Sequence, residues 1–296
     1  MTTEERIPLN ARPSGRSLRA RRPAWLASLA ALLALACAPA LSAQVVADRW
    51  GPNPPASAEG HRVDTLFWLI TTMISASFVI VLLLLLIPVL RDRARPGHRA
   101  SYDHGSSLHD KRFTAIVSVI VFIVLDASVL YITMRDLREV VWNIPRPGGN
   151  TYQVEVLAQQ WAWNFRVPGP DGRFGTSDDI VTINALTLPV DRPAVFNLAS
   201  KDVIHSFYVP DMRVKRDANP GAINQVWFQP AVTGNYDILC AELCGYAHYQ
   251  MHGTLAVLPQ AEFEAWQQEA GALALAAWDG NDSEANWAWE WKENTP

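Results

Sequence analysis

The chain has 296 residues, of which 49% are hydrophobic and 18% charged, with a net charge of −4. That is enough for a membrane hairpin and one globular domain. Three cysteines exclude a disulfide framework, and a basic N-terminus without interleaved aromatics gives no reason to expect a nucleic acid partner. The charges are unevenly placed. From Ile144 onward 18 acidic residues face 9 basic ones, whereas the first 143 residues hold 16 basic and 11 acidic. The second half should therefore attract a basic partner and speed its encounter at low salt.

Residues 1–43 read as an export signal. Arg12, Arg16, Arg19, Arg21 and Arg22 precede an apolar core from Trp25 to Leu35, and small residues follow, with a cleavage site after Ala43. Ala34-Leu35-Ala36-Cys37 is a loose lipoprotein box and offers lipidation of Cys37 as an alternative. Residues 44–62 form an outer N-terminal segment. A transmembrane hairpin is expected over 63–143, with spans at about 66–90 and 113–134, each long enough for ~30 Å of hydrocarbon. The loop between them carries Arg91, Arg93, Arg95, Arg99, Lys111 and Arg112. The positive-inside rule puts that loop in the cytoplasm and everything after Met134 outside. Asp126 lies within the second span, where an ionisable group must face protein or water. Either a helix contact with another subunit or a proton path would accommodate it.

Pro145, Pro147, Gly148 and Gly149 form a linker into a domain expected over 144–270. Short β-type runs follow at 152–157, 160–167, 187–190, 194–198, 204–209, 225–229, 234–239 and 254–258, the pattern of an antiparallel sandwich or barrel. Residues 259–270 read as an amphipathic helix carrying Phe263 and Trp266. A tail rich in Trp and acids occupies 271–296. The loop Gly169 to Asp179 has the composition of a short calcium site but lacks a terminal bidentate Glu, so it reads as an acidic turn-rich loop.

The densest chemistry lies in Cys240-Ala241-Glu242-Leu243-Cys244-Gly245-Tyr246-Ala247-His248-Tyr249-Gln250-Met251. Two thiols, an imidazole and a thioether fall within twelve residues. Soft sulfur with imidazole suits copper, while a thioether argues against zinc. A pair of metals bridged by the two sulfurs would need one more imidazole, and His205 can supply it. A Cys240–Cys244 disulfide, a zinc site, and ordinary core roles for His248 and Met251 stand as alternatives.

At these residues the chain resembles subunit II of the haem–copper oxidases, in the cytochrome c oxidase branch. The family pattern Cys-x-Glu-x-Cys-x-x-x-His-x-x-Met is met at every specified position, and Lys215-Arg216-Asp217-Ala218-Asn219-Pro220-Gly221 and Gln160-Trp161-Ala162-Trp163 match two further signatures. The resemblance implies a two-helix transmembrane hairpin followed by an all-β cupredoxin-like Greek-key barrel. It implies a binuclear copper centre, CuA, with His205, Cys240, Cys244, His248, Met251 and the backbone carbonyl of Glu242 as ligands. It implies a magnesium or manganese ion at the boundary with subunit I, reached by the Glu242 side chain. Trp161 matches the aromatic that admits electrons from cytochrome c. Acids expected to face that donor are Asp171, Asp178, Asp179 and Asp202. Arg166 and Lys201 stand where many relatives carry acids. The region of His104 to Asp110 matches the family's proton-uptake Glu only loosely, with His109 nearest to its place. The activity implied is that of a proton-translocating oxidase in a bacterial inner membrane, with the copper domain on the periplasmic side. A CuA-bearing nitric oxide reductase subunit and a membrane-anchored copper carrier are the alternatives. The quinol-oxidase branch lacks copper ligands that this chain keeps.

Overall fold

The computed structural model describes residues 53–93, 96–97, 105–279 and 281. The export signal, Cys37, Arg95, Arg99 and the tryptophans of the tail from Trp287 onward lie outside the described residues.

Two helices come first. α1 spans Gly60–Arg91 and α2 spans Leu108–Val141, with mean hydropathies of 2.9 and 2.6, and neither apolar stretch is covered within the chain. Both are longer than the apolar runs at 66–90 and 113–134, because backbone hydrogen bonding does not stop where side chains turn polar. At the start of α2 the Ser107 hydroxyl accepts from the Asp110 amide at 3.1 Å, a side-chain cap that fixes the first turn. α2 contains π-helical turns at Phe122–Ala127 and Leu137–Val141. Asp126 sits in the first of these, exposed. Near the start of α1 and the end of α2 the helices are clamped, as Arg62 of α1 pairs with Asp136 (3.3 Å) and Glu139 of α2.

The domain after the hairpin is a sandwich of two five-stranded sheets. Its strands are β1 (Tyr152–Gln159), β2 (Ala162–Val167), β3 (Ile180–Ile183), β4 (Ala185–Pro189), β5 (Ala194–Ser200), β6 (His205–Val209), β7 (Val214–Ala218), β8 (Asn224–Phe228), β9 (Gly234–Cys240) and β10 (His252–Leu258). The orders are β3-β2-β1-β5-β8 and β4-β10-β9-β6-β7. Two neighbouring pairs, β1–β5 and β10–β4, run parallel, which departs from an all-antiparallel expectation. The cause is topological. The chain leaves β1 through β2 and β3, crosses to the other sheet as β4, and returns to β5 in the direction of β1.

Two strands are absent from the runs read in the sequence. β7 is Val214-Lys215-Arg216-Asp217-Ala218, a charged edge strand of the kind that resists pairing with other chains. β3 is Ile180-Val181-Thr182-Ile183, and its β-branched run was a signal for it. The last helix, α3, spans Gln260–Ala277, so it runs beyond residue 270 into the expected tail.

The core between the sheets is aromatic. Phe196 stacks on Phe228 with centroids 4.8 Å apart, and Phe207 meets Trp163 edge-on at 5.6 Å. On the outer face of the first sheet, cross-strand partners Glu155 and Arg166 form an ion pair beneath the loop 169–179. Arg166 lies 3.9 Å from Asp179 and over the Phe174 ring. Replacing Arg166 with Leu would leave two buried carboxylates near each other without their cation. The expected cost is ~3–5 kcal/mol, read as a lower denaturation midpoint of the purified protein.

The domain is tied to the hairpin at one end. Arg213, in a left-handed turn after β6, donates to Asp64 of α1 at 2.7 Å and to the Pro210 carbonyl at 2.7 Å. The Trp227 indole donates to the Val140 carbonyl of α2 at 2.7 Å. His205 lies at the opposite end of β6 from this attachment.

Candidate metal centre

The start of β6 supplies His205, the end of β9 supplies Cys240, and the loop before β10 supplies Cys244, His248 and Met251. Strands β6 and β9 are hydrogen-bonded neighbours with Phe207 opposite Cys240, which leaves His205 two residues further along β6, on the same face of the sheet as Phe207. The donor atoms of His205, Cys240 and Cys244 lie within 4.8 Å of one another. The two Sγ atoms are 3.8 Å apart, far beyond a ~2.05 Å disulfide bond. The disulfide alternative is therefore not the arrangement here, and both cysteines are free.

The other donors close around that sulfur pair. His248 Nδ1 is 3.5 Å from Cys244 Sγ, Met251 Sδ is 3.8 Å from Cys244 Sγ, and His205 Nδ1 is 3.1 Å from Met251 Sδ. The Glu242 carbonyl lies 3.2 Å from Cys240 Sγ. Its side chain is exposed. His205 is fully buried, and Cys244 and Met251 nearly so. Two thiolates flanked by one imidazole each, with a thioether and a carbonyl beside them, are a soft donor set that fits copper and leaves a zinc site with a surplus thioether.

Charge at the site follows from these contacts. Burial opposes ionisation of Asp202, but hydrogen bonds from His205, Gln160 and Val203 outweigh it and hold its carboxyl below the usual range. Burial likewise opposes a charged His205, and Cys240 and Asp202 together override it and raise the imidazole pKa. Cys240 is lowered against burial by hydrogen bonds from His205 and from backbone amides, while burial and the neighbouring Cys240 charge raise Cys244. Without metal, the first thiolate forms at Cys240.

Two supports were not assigned from sequence. Gln160 Nε2 and the Trp161 indole both donate to the Cys244 carbonyl, at 2.8 and 3.2 Å, and so pin the loop. Gly245 makes this approach possible. Its φ is +117°, and a Cβ there would come within 2.7 Å of Gln160 Nε2 and 3.4 Å of the Trp161 ring. The occurrence of both residues in the Gln-Trp-x-Trp signature was the available signal.

The four acids differ in their surroundings. Asp171 is exposed and Asp178 is partly so. The Asp179 side chain is only 7% exposed, and it accepts from the Gly175 amide at 2.8 Å and faces Arg166. Asp179 is thus the most enclosed of the four. Asp202 accepts from His205 Nε2 at 2.8 Å and from the Gln160 amide at 2.7 Å. It thereby orients the imidazole so that Nδ1 faces the sulfurs. Around the metal loop the surface is apolar and aromatic. Leu243, Tyr246 and Tyr249 are exposed, Tyr246 to 91%, and Trp161 is 37% exposed.

The family model for cytochrome c oxidase subunit II, periplasmic domain, matches residues 152–257. The alternative cytochrome c oxidase subunit 2 of Bradyrhizobium diazoefficiens is 34% identical over 252 residues, covering 76% of this chain and 86% of that protein. The chain belongs to the cytochrome c oxidase subunit II family. Cytochrome c oxidase subunit 2 of Cereibacter sphaeroides is 28% identical over 251 residues, covering 74% of this chain and 80% of that protein. A crystal structure of the periplasmic domain of subunit II of cytochrome oxidase from Bradyrhizobium japonicum aligns with 26% identity and a TM-score of 0.39 over 44% of this chain and 98% of that one. Two apolar helices followed by a cupredoxin-like β domain agree with this membership, and the family's proteins are subunits of an oxidoreductase complex.

Proposed function

We propose that this chain is subunit II of a respiratory cytochrome c oxidase. It takes electrons from cytochrome c at a binuclear copper centre and delivers them toward haem in subunit I, where oxygen is reduced to water. The observation that carries this reading is the convergence of His205, Cys240, Cys244, His248 and Met251 around one pair of sulfurs. These five side chains and the Glu242 carbonyl would hold the two ions. A copper pair bridged by thiolates supplies one-electron acceptance shared over two metals, with little change in bond lengths.

The remaining residues prepare that chemistry. Asp202 fixes the His205 ring, and Gln160 holds the loop through the Cys244 carbonyl. Burial of His205, Cys244 and Met251 keeps water from competing for the metals. The exposed Glu242 carboxylate is available to a magnesium or manganese ion shared with subunit I. Trp161 combines surface exposure with a hydrogen bond to the ligand loop, which suits the point where electrons arrive. The acidic excess of the domain, with Asp171, Asp178 and Asp202 at or near its surface, would steer a basic cytochrome c. Such steering acts mainly on the association rate and is screened by salt.

The placement proposed is a two-span subunit in a bacterial inner membrane, with the copper domain in the periplasm. Arg93 between the helices, Arg91 at the end of α1, Lys111 and Arg112 in the first turns of α2, and the export signal at 1–43 support it. The proposed division is 1–43, 44–62, 63–143, a copper domain from 144, and a tail that starts after Ala277, the end of α3, rather than at residue 271. Purification of the membrane complex followed by oxygen uptake with reduced cytochrome c tests the function. Uptake that follows cytochrome c oxidation supports it. A complex that contains this chain and reduces nitric oxide but not oxygen would contradict it.

A further inference from the structure

We propose that a cavity at the junction of the hairpin and the outer domain binds one anionic phospholipid of the surrounding membrane, with its phosphate at Arg216. The inference rests on reading α1 and α2 as membrane spans. The cavity has a volume of about 280 Å³ and lies between the outer ends of α1 and α2 and strands β7 and β8. That is close to the lower end of the ~300–1,000 Å³ usual for ligand pockets, and too small for a folded partner.

Its floor and its rim differ. Val63, Leu66, Leu137, Val140 and Val226 form an apolar floor. Val63 and Leu66 belong to the first turns of α1 and Val140 to the last turn of α2, so the cavity sits where the spans leave the hydrocarbon. The Trp227 indole, bonded to the Val140 carbonyl, lines it at the same level, where amphipathic aromatics favour the membrane interface. Thr133, Arg62 and Asp136 also line the cavity, and the last two pair with each other, so an acyl chain on this floor meets no unpaired charge.

The rim carries the charge that selects the headgroup. Of its cations, Arg62 pairs with Asp136 and Glu139, Arg213 with Asp64, and Lys215 with Asp217 at 3.6 Å. Of its acids, Glu59 accepts from the Gln229 amide at 3.1 Å. Arg216 is exposed and has no acidic partner among the described residues. A guanidinium fork matches a phosphodiester with two parallel hydrogen bonds, and a lipid with a net negative charge would match the unbalanced cation better than a zwitterionic one.

The test uses the whole complex, extracted in mild detergent and measured by native mass spectrometry with lipid analysis. The retained anionic phospholipid should fall by one per copy of this chain in Arg216→Gln and again in Val226→Trp, which fills the floor. Copper content and subunit composition should match the parent in both. Equal retention in the parent and both variants, or a cryo-EM map with a partner subunit's side chain in the cavity, would overturn the proposal. Release of the chain from membranes by alkaline carbonate would instead overturn the reading of α1 and α2 as spans, which a lipid-free but membrane-embedded chain would leave standing.

Discussion

Replacing Cys244 with Ser is expected to abolish cytochrome c oxidation and to lower copper from two atoms per chain to one at most. Cys244 stands at the middle of the donor set. Its sulfur is 3.8 Å from Cys240 Sγ, 3.8 Å from Met251 Sδ and 3.5 Å from His248 Nδ1, so it touches three of the other four donor side chains. A hydroxyl is a hard, poorly ionised donor and does not replace a bridging thiolate. The fold should survive, because the Cys244 contacts made by Gln160 and Trp161 go to its backbone carbonyl rather than its sulfur. Copper analysis and oxygen uptake on the same preparation check this. A serine variant that keeps two coppers and turns over normally would show that the sulfur does not bridge.

Replacing Trp161 with Leu should act in a different place. The indole is partly exposed and bonds to the Cys244 carbonyl, so it touches both the surface and the ligand loop. Leucine keeps apolar contact but loses the ring and the N–H. The expected result is slower reduction of the copper centre by cytochrome c, by about tenfold or more, equivalent to ~1.4 kcal/mol or more in barrier height. Phenylalanine at the same position should recover part of the rate. Copper content should not change. The salt dependence should also persist, because it belongs to charge rather than to the ring. Neutralising Asp178 should lower the association rate and flatten the salt dependence while electron transfer within the docked pair continues. Stopped-flow reduction at two ionic strengths separates the three cases. A Trp161→Leu variant with parental rates would move the electron path elsewhere, with the exposed Tyr246 and Tyr249 next to be tested.

The sequence was most readable where chemistry and spacing coincide. The ligand loop is local, so twelve residues carried most of the metal centre, and adding His205 needed only the reading of a strand. The hairpin was legible because an uncharged run from Leu66 to Leu90 has few other uses. Its true ends were not, since backbone hydrogen bonding continues past the apolar runs, to Gly60 and Arg91 in α1 and to Leu108 and Val141 in α2. β7 was missed because Lys215, Arg216 and Asp217 leave it no apolar alternation, although its partner β6 ends only at Val209. Asp202 and Asp179 were read as surface acids from charge alone. The Asp179–Arg166 contact depends on tertiary packing, which no local pattern reports, whereas Asp202 and His205 are only three residues apart and meet at the turn into β6. The parallel pairing of β1 with β5 is likewise a property of the whole chain path.

The most direct test of the central claim is electron paramagnetic resonance with metal analysis on the purified, oxidised complex. The account predicts two copper atoms at this chain and a signal from one unpaired electron shared equally by two copper nuclei. The signal should disappear when reduced cytochrome c is added. A pattern from a single copper nucleus, or zinc in place of copper after growth with ample copper, would contradict it.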